Sequence, residues 1–235
     1  MGLGHNPSII TDGLVLALDS GNGRSYSGSG TTWSDQISNA NNGTLQGSPG
    51  FSSLNGGVIT FNGTNQYADC GYNPIIYNLT TNFSVEAWVR WTGAVATTGN
   101  GQWMLANVDH LSSTIGGFQL GYVPSLGIIF STYGNLQDAS SGTVPVINTW
   151  YHLVGVKSST FGYVIYVNGV SAGTNAATTN AGVGQRNLRI AHRERDGAGG
   201  GYFPGYIPSV KIYNVALTAS QVQQNFNALR GRFGI

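Results

Sequence analysis

Between Phe83 and Trp91 the odd positions (Phe83, Val85, Ala87, Val89, Trp91) are all apolar, whereas the even positions carry Ser84, Glu86, Trp88 and Arg90. That period-two alternation predicts a strand with one face on a core. Trp88 on the second face predicts cover there as well. A strand covered on both sides belongs in the middle of a sandwich.

The same period recurs in short bursts. Gly13–Ser20 sets Leu14, Leu16 and Leu18 on one face and ends at Asp19. Val58–Asn62, Tyr67–Cys70, Trp103–Val108, Phe118–Val123, Ile128–Thr132, Trp150–Lys157, Leu188–Ala191 and Gly205–Tyr213 read as further strands. Asn168-Gly169, between Tyr163–Val167 and Val170–Gly173, predicts a hairpin, because both turn residues tolerate positive φ. Asn41-Asn42-Gly43 reads as another tight turn. Near the C-terminus Thr218 and Gln221 form a capping-box pattern, and Val222, Phe226 and Leu229 then share one helical face. Gly231 is the expected end of that helix. Residues 1–12 read as a polar arm with Pro7, either a frayed terminus or a tether onto a neighbouring subunit. With no internal repeat and no linker, residues 13–235 read as one domain.

Composition narrows the class. Of 235 residues 40% are apolar, enough for a core, yet only 8% are charged, and glycine occurs 36 times. Short aromatic and β-branched bursts between Gly, Asn and Ser turns predict an all-β domain. A formal charge of +1 gives no electrostatic basis for nucleic acid or a membrane surface. Cys70 is the one cysteine, so neither an intramolecular disulfide nor a cysteine zinc cluster is expected. No apolar run reaches the roughly 20 residues of a membrane helix. Met-Gly-Leu-Gly-His-Asn-Pro lacks the pattern of a signal peptide, so the expectation is a chain made without one.

Several stretches together resemble a known family: Gly13-Leu14-Val15-Leu16 with Asp19, Trp33-Ser34-Asp35, Asn41–Leu45, Ile59–Gly63, Phe83–Arg90, Trp150–Val156, Tyr166–Gly169 and Gly205–Thr218. Across roughly residues 13–230 the chain is similar to the laminin G-like and concanavalin A-like lectin–glucanase jelly rolls. The resemblance implies a two-sheet antiparallel jelly-roll sandwich with one short C-terminal helix. The Gly-Ser loop after Asp19 and the ending Ala228–Ile235 look like single-domain structural proteins of tailed-phage virions.

What the resemblance implies for chemistry depends on the residues. Glucanases of this fold carry Glu-x-Asp-x-x-Glu on one strand, and retaining hydrolysis needs paired carboxyl groups. This chain has two glutamates, Glu86 and Glu194, and neither sits in that pattern, so no catalytic residue is expected. Lectin-like members hold Ca²⁺ through oxygen ligands; Asp19, Asp35, Asn39 and Asn41 stand near the matched positions and are the candidate metal ligands, although Ile207-Pro208-Ser209 replaces a late acidic pair. The four histidines (His5, His110, His152, His192) show no ligand spacing.

Charge concentrates in one place: five of the nineteen charged residues fall between Arg189 and Asp196. This is either a solvated loop with local ion pairs or a recognition loop. In the second reading His192, Arg193, Glu194, Arg195 and Asp196 meet sugar hydroxyls or a partner, with Tyr202 or Phe203 as a stacking plate. The expectation is a non-catalytic, lectin-like protein of a phage virion surface, in a head decoration or a fibre. Its expected partners are other virion proteins or copies of itself, with host glycans as a further ligand. The alternatives are a free carbohydrate-binding module and a hydrolase of the same fold.

Overall fold

Phe83–Trp91 is one strand from end to end, paired on both sides and buried except at half-buried Arg90. The protein is seen here in a computed structural model that describes residues 7–96, 99, 101–108, 116–133, 137–184, 186–194 and 201–235. Its first strands are β1 (Leu14–Asp19), β2 (Thr32–Trp33), β3 (Gly43–Gln46), β4 (Gly50–Ser52), β5 (Val58–Asn62), β6 (Tyr67–Asp69), β7 (Phe83–Trp91) and β8 (Gln102–Ala106). There follow β9 (Gly117–Val123), β10 (Gly127–Tyr133), β11 (Gln137–Ser140), β12 (Trp150–Ser158), β13 (Gly162–Val167), β14 (Val170–Asn175), β15 (Arg189–Ile190) and β16 (Pro204–Tyr213). Two α-helices are described, α1 (Pro74–Tyr77) and α2 (Ala219–Phe233).

The strands form two antiparallel sheets, as the jelly-roll expectation requires. The first runs β14-β13-β12-β7-β16-β5-β4, with β1 also on β16; the second runs β11-β10-β9-β8-β15-β6-β3-β2. The odd residues of β7 meet Met104, Leu105, Phe118, Leu120 and Phe130 of the second sheet in the central core. Gly155 on β12 is required there, because a Cβ would run into the ring of Phe130. The β13–β14 hairpin turns at Asn168 (φ 51°) and Gly169 (φ 80°), both left-handed as the Asn-Gly pair predicts.

The cover implied by Trp88 is α2, which makes a third layer on the outer face of the first sheet. Trp88 lies between Phe226, at 5.9 Å and 9° between ring planes, and Phe233, at 4.3 Å and 22°. Beneath the same helix Glu86 is fully buried. It accepts 2.7 Å hydrogen bonds from Lys211 Nζ and Asn225 Nδ2, and His152 Nε2 lies 3.3 Å away. Burial opposes ionisation, but Lys211 and then His152 outweigh it and hold the Glu86 carboxyl well below the usual range. Of the expected arm, residues 7–12 lie on the protein's own helix. The Ile10 amide donates to Asn225 Oδ1 (2.8 Å), and Gln224 Nε2 donates to the Ser8 carbonyl (2.9 Å).

Three local readings are corrected. Leu14 does not share a face with Leu16 and Leu18: the register on β16 slips between Leu14 and Leu16, turning Leu14 toward the helix side. Asn41-Asn42-Gly43 is not a left-handed turn; a 3₁₀ turn over Asn39–Asn41, capped by Ser38, leads straight into β3. The capping box forms, but α2 passes Gly231 and ends at Gly234 (φ 72°), because Phe233 packs on Trp88 and Trp150 and carries the helix one turn further. The strand expected over Gly205–Tyr213 is present as continuous β16, which changes partner midway. It pairs with β5 up to Ile207 and with β1 from Ser209, and its register on β7 slips around Pro208, which has no N–H for the ladder.

Candidate functional site

Because α2 closes the outer face of the first sheet, the corresponding face of the second sheet is the one left to carry a site. On β6 Ala68 points into the core, so Tyr67 and Asp69 point out; on β15 Ile190 points in, so Arg189 points out. Antiparallel pairing sets Arg189 directly opposite Asp69. Their side chains meet at 3.4 Å, Nε to Oδ2, and the same guanidinium reaches Glu194 Oε2 at 3.2 Å. Its plane also covers the Tyr67 ring at 4.9 Å. Asn187 Nδ2 (3.0 Å) and the Gly71 amide (2.8 Å) donate to the other Asp69 oxygen.

After β15 the chain turns at Ala191, whose φ of 66° is strained for a residue with a Cβ, at a cost of about 1 kcal/mol. The turn is held by hydrogen bonds from Ala191 N to the Met104 carbonyl (3.0 Å) and from Phe203 N to the Ala191 carbonyl (2.9 Å). It leaves the Ala191 methyl in the core and lifts residues 192–194 over the sheet. His192 is then stacked on Tyr202, with ring centroids 4.0 Å apart at 21°, and lies 5.2 Å from Tyr67. Burial, then Arg189 and Arg193, lower the His192 pKa to about 4, so the ring is neutral near pH 7. Arg189 Nη1 sits 3.4 Å from its Nδ1. A guanidinium only donates, so Nδ1 accepts and the ring proton resides on Nε2. That buried Nε2–H has no hydrogen-bond partner among the described residues.

Tyr72, 64% exposed, adds an open ring to the patch and packs on buried Tyr77 at 3.8 Å. Burial, then Tyr72, Asp69 and Glu194, push the Tyr77 hydroxyl up to about 12, placing this pair in the field of the same carboxylates.

The expected site residues separate into groups. His192, Glu194 and Tyr202 come together around Arg189. Arg193 is buried, with its guanidinium 4.4 Å from the Trp103 ring and Nη1 donating to Gln119 Oε1 at 3.0 Å, so it braces the segment from beneath. Phe203 is no stacking plate: it is fully buried against Trp91 at 5.0 Å. Arg195 and Asp196 lie outside the described residues, as does Asp109-His110. Tyr67, Asp69, Tyr72 and Arg189 also line this face and were not among the expected site residues, although Arg189 opens the charge run. The alternation of Tyr67-Ala68-Asp69 was the available signal, since it puts an aromatic and a carboxylate on one face.

The four oxygen-bearing residues expected to hold Ca²⁺ do not fit a cation site. Asp35 already accepts four hydrogen bonds, from the amides of Ala17, Ile37 and Ser38 and from Asn41 Nδ2. Asn41 Oδ1 accepts from Asn73, Asp19 is held by Arg232 of α2 at 2.8 Å, and Asn39 is an exposed residue of the 3₁₀ turn. Among the described residues no cluster of three or more His, Cys, Asp or Glu forms. No helix there is long and apolar enough to cross a membrane.

Comparison with known proteins agrees with this architecture. The model of the concanavalin A-like lectin/glucanases superfamily matches residues 62–223, well over half of the chain. No curated protein sequence matches. Among solved structures, domain 4 of AbnA, a GH43 extracellular arabinanase from Geobacillus stearothermophilus in complex with arabinotriose, superposes with a TM-score of 0.69 at 16% identity. That match covers 90% of this chain and 97% of the domain. Trypanosoma rangeli sialidase in complex with sialic acid matches at 0.64 and 15% identity over 96% of this chain but 34% of its own. The binding domain of Botulinum neurotoxin DC in complex with rat synaptotagmin II matches at 0.64 and 16% identity, over 92% of this chain and 52% of its own. At such identities the likeness is one of fold. The chain spans about a third of the sialidase and half of the toxin domain.

Proposed function

We propose a function from one premise: the chain belongs to the concanavalin A-like lectin/glucanases superfamily. It binds carbohydrate without cleaving it, on the outer face of the second sheet, and does so on a phage virion surface as a head decoration or fibre component. The observation that carries the binding is the Nε2–H of His192, buried beside Tyr67 and Tyr202 with no partner among the described residues. Around it stand two carboxylates and a guanidinium to meet vicinal hydroxyls, and the open Tyr72 ring to stack on a sugar. The arabinotriose held by a domain of the same fold supports a sugar as the ligand class.

Two features support a non-catalytic role. Glu86 is locked beneath α2 in an ion pair, and Asp69 and Glu194 are both tied to the one guanidinium of Arg189. Ca²⁺ is no part of this reading, because protein donors engage the side-chain oxygens of Asp19, Asp35 and Asn41. The virion role rests on the resemblance of the Gly-Ser loop and the chain's ending, and on a low charge that suits a life in an assembly.

A glycan array probed with the purified protein, once with Ca²⁺ and once with EDTA, tests the reading. Saturable binding to one glycan class is expected in both buffers, and is lost on Tyr72→Ala or Tyr202→Ala. An array silent in both buffers overturns it and leaves subunit assembly as the function.

A further inference from the structure

Where the chain leaves β3 for β4, at an edge of the sandwich, a groove of about 370 Å³ opens between the 28–31 loop and the Gly47–Pro49 turn. Tyr26 is its floor, almost fully buried, with its hydroxyl donating to the Gly30 carbonyl at 3.0 Å. Phe51 is one wall and is 39% exposed; its ring stands 5.4 Å from that of Tyr26, and Gly28 approaches it closely on one side. The turn opposite is set by two left-handed residues, Gly47 (φ 72°) and Ser48 (φ 58°). Gln66 Nε2 clamps both of their carbonyls, at 3.1 and 2.7 Å. The groove is therefore built in advance of any ligand.

Its chemistry is specific. No lining residue carries a charge. Ser29, Thr31 and Ser48 are exposed on the rim, and none of their hydroxyls makes a hydrogen bond among the described residues. A half-open aromatic ring ringed by uncommitted hydroxyls, with no ion, matches one ligand class: a ring with an apolar C–H face and several neutral hydroxyls. An acidic sugar would find no cation. An acyl chain would use Phe51 but leave the three hydroxyls without partners.

We propose that this groove binds an uncharged saccharide ring, stacked on Phe51 and hydrogen-bonded by Ser29, Thr31 and Ser48. The proposal rests on the carbohydrate-binding reading of the fold, yet the groove shares no residue with the face around His192, so the two sites can fail separately.

Amide NMR titration of the full chain with arabinotriose, cellotriose and maltotriose tests it. Saturable shifts are expected at Gly28, Gly30 and Gly47 with at least one trisaccharide. Phe51→Ala should weaken them about tenfold, a loss of about 1.4 kcal/mol. Phe51→Trp should retain binding, which guards against an Ala variant that merely loosens the fold, and Tyr202→Ala should leave these shifts unchanged. If the three amides stay still with every trisaccharide, the groove proposal falls, whether or not amides near Tyr67 and Glu194 move. It also falls if a proline-rich peptide moves them and sugars do not, or if Phe51→Ala binds as the parent does. Movement at the groove with none near Tyr67 and Glu194 supports this proposal and removes the outer-face site.

Discussion

Lys211 Nζ donates a 2.7 Å hydrogen bond to Glu86 Oε1 inside a layer where both residues are buried. A pair so placed stabilises little against an apolar pair of equal volume, but removing one partner strands the other charge out of water. Lys211→Met should therefore cost about 3–5 kcal/mol in chemical denaturation. The double variant Lys211→Met/Glu86→Gln should recover much of that loss. A double variant no better than the single one would mean that the pair itself carries the energy.

Acid should destabilise the fold in two stages. His192 titrates near 4 in the folded protein, below its ordinary value of 6.5, so the unfolded chain takes up that proton first. Its contribution is complete above about pH 6.5 and is lost as the pH falls toward 4. Glu86 is likewise depressed, so its share persists to the carboxylate range near 4.3 and is lost below it. Urea midpoints should fall from pH 7 to pH 5, and His192→Gln should shrink that difference.

Arg189 bridges Asp69 and Glu194 with separate nitrogens, a geometry that a lysine ammonium does not reproduce. Arg189→Lys should weaken glycan binding severalfold while changing stability by less than about 1 kcal/mol, because the bridge is partly solvated. Isothermal titration beside a melting curve separates the two effects.

Phe226 seals one face of Trp88. Phe226→Ala should cost about 3 kcal/mol through the cavity left under α2. Exposure of Trp88 should then appear as a red shift in tryptophan emission.

Most of this framework was legible because burial leaves a period in the sequence. β7, β12 and the β13–β14 hairpin follow their alternation, and Trp88 announced the layer that α2 supplies. What the pattern missed has physical reasons. β2 and β4 are too short to show a period, and α1 is one turn started by Asn73 and Pro74. Gly231 looked like a stop because a single sequence does not show that Phe233 has a tryptophan to reach. At the site the charge run marked the right segment but not its inner half. Arg193 and Phe203 turn inward because Ala191 adopts a left-handed backbone that its side chain disfavours, and no propensity forecasts that. Two partners of Arg189, Tyr67 and Asp69, come from β6, more than a hundred residues earlier, and only strand pairing reveals them.

The partner change in β16 has a kinetic consequence. Leu18 pairs with Val210 and Ile59 pairs with Ile207, so the centre of the first sheet is zipped by a strand made long after β1, β5 and β7. Until residues 204–213 arrive, β7 has an open edge, and β1 and β5 have no strand to join to it. Contacts this distant along the chain make folding slow. A nascent chain therefore shows an unpaired hydrophobic edge until β16 is made, and self-association competes with folding at that edge until β16 fills it.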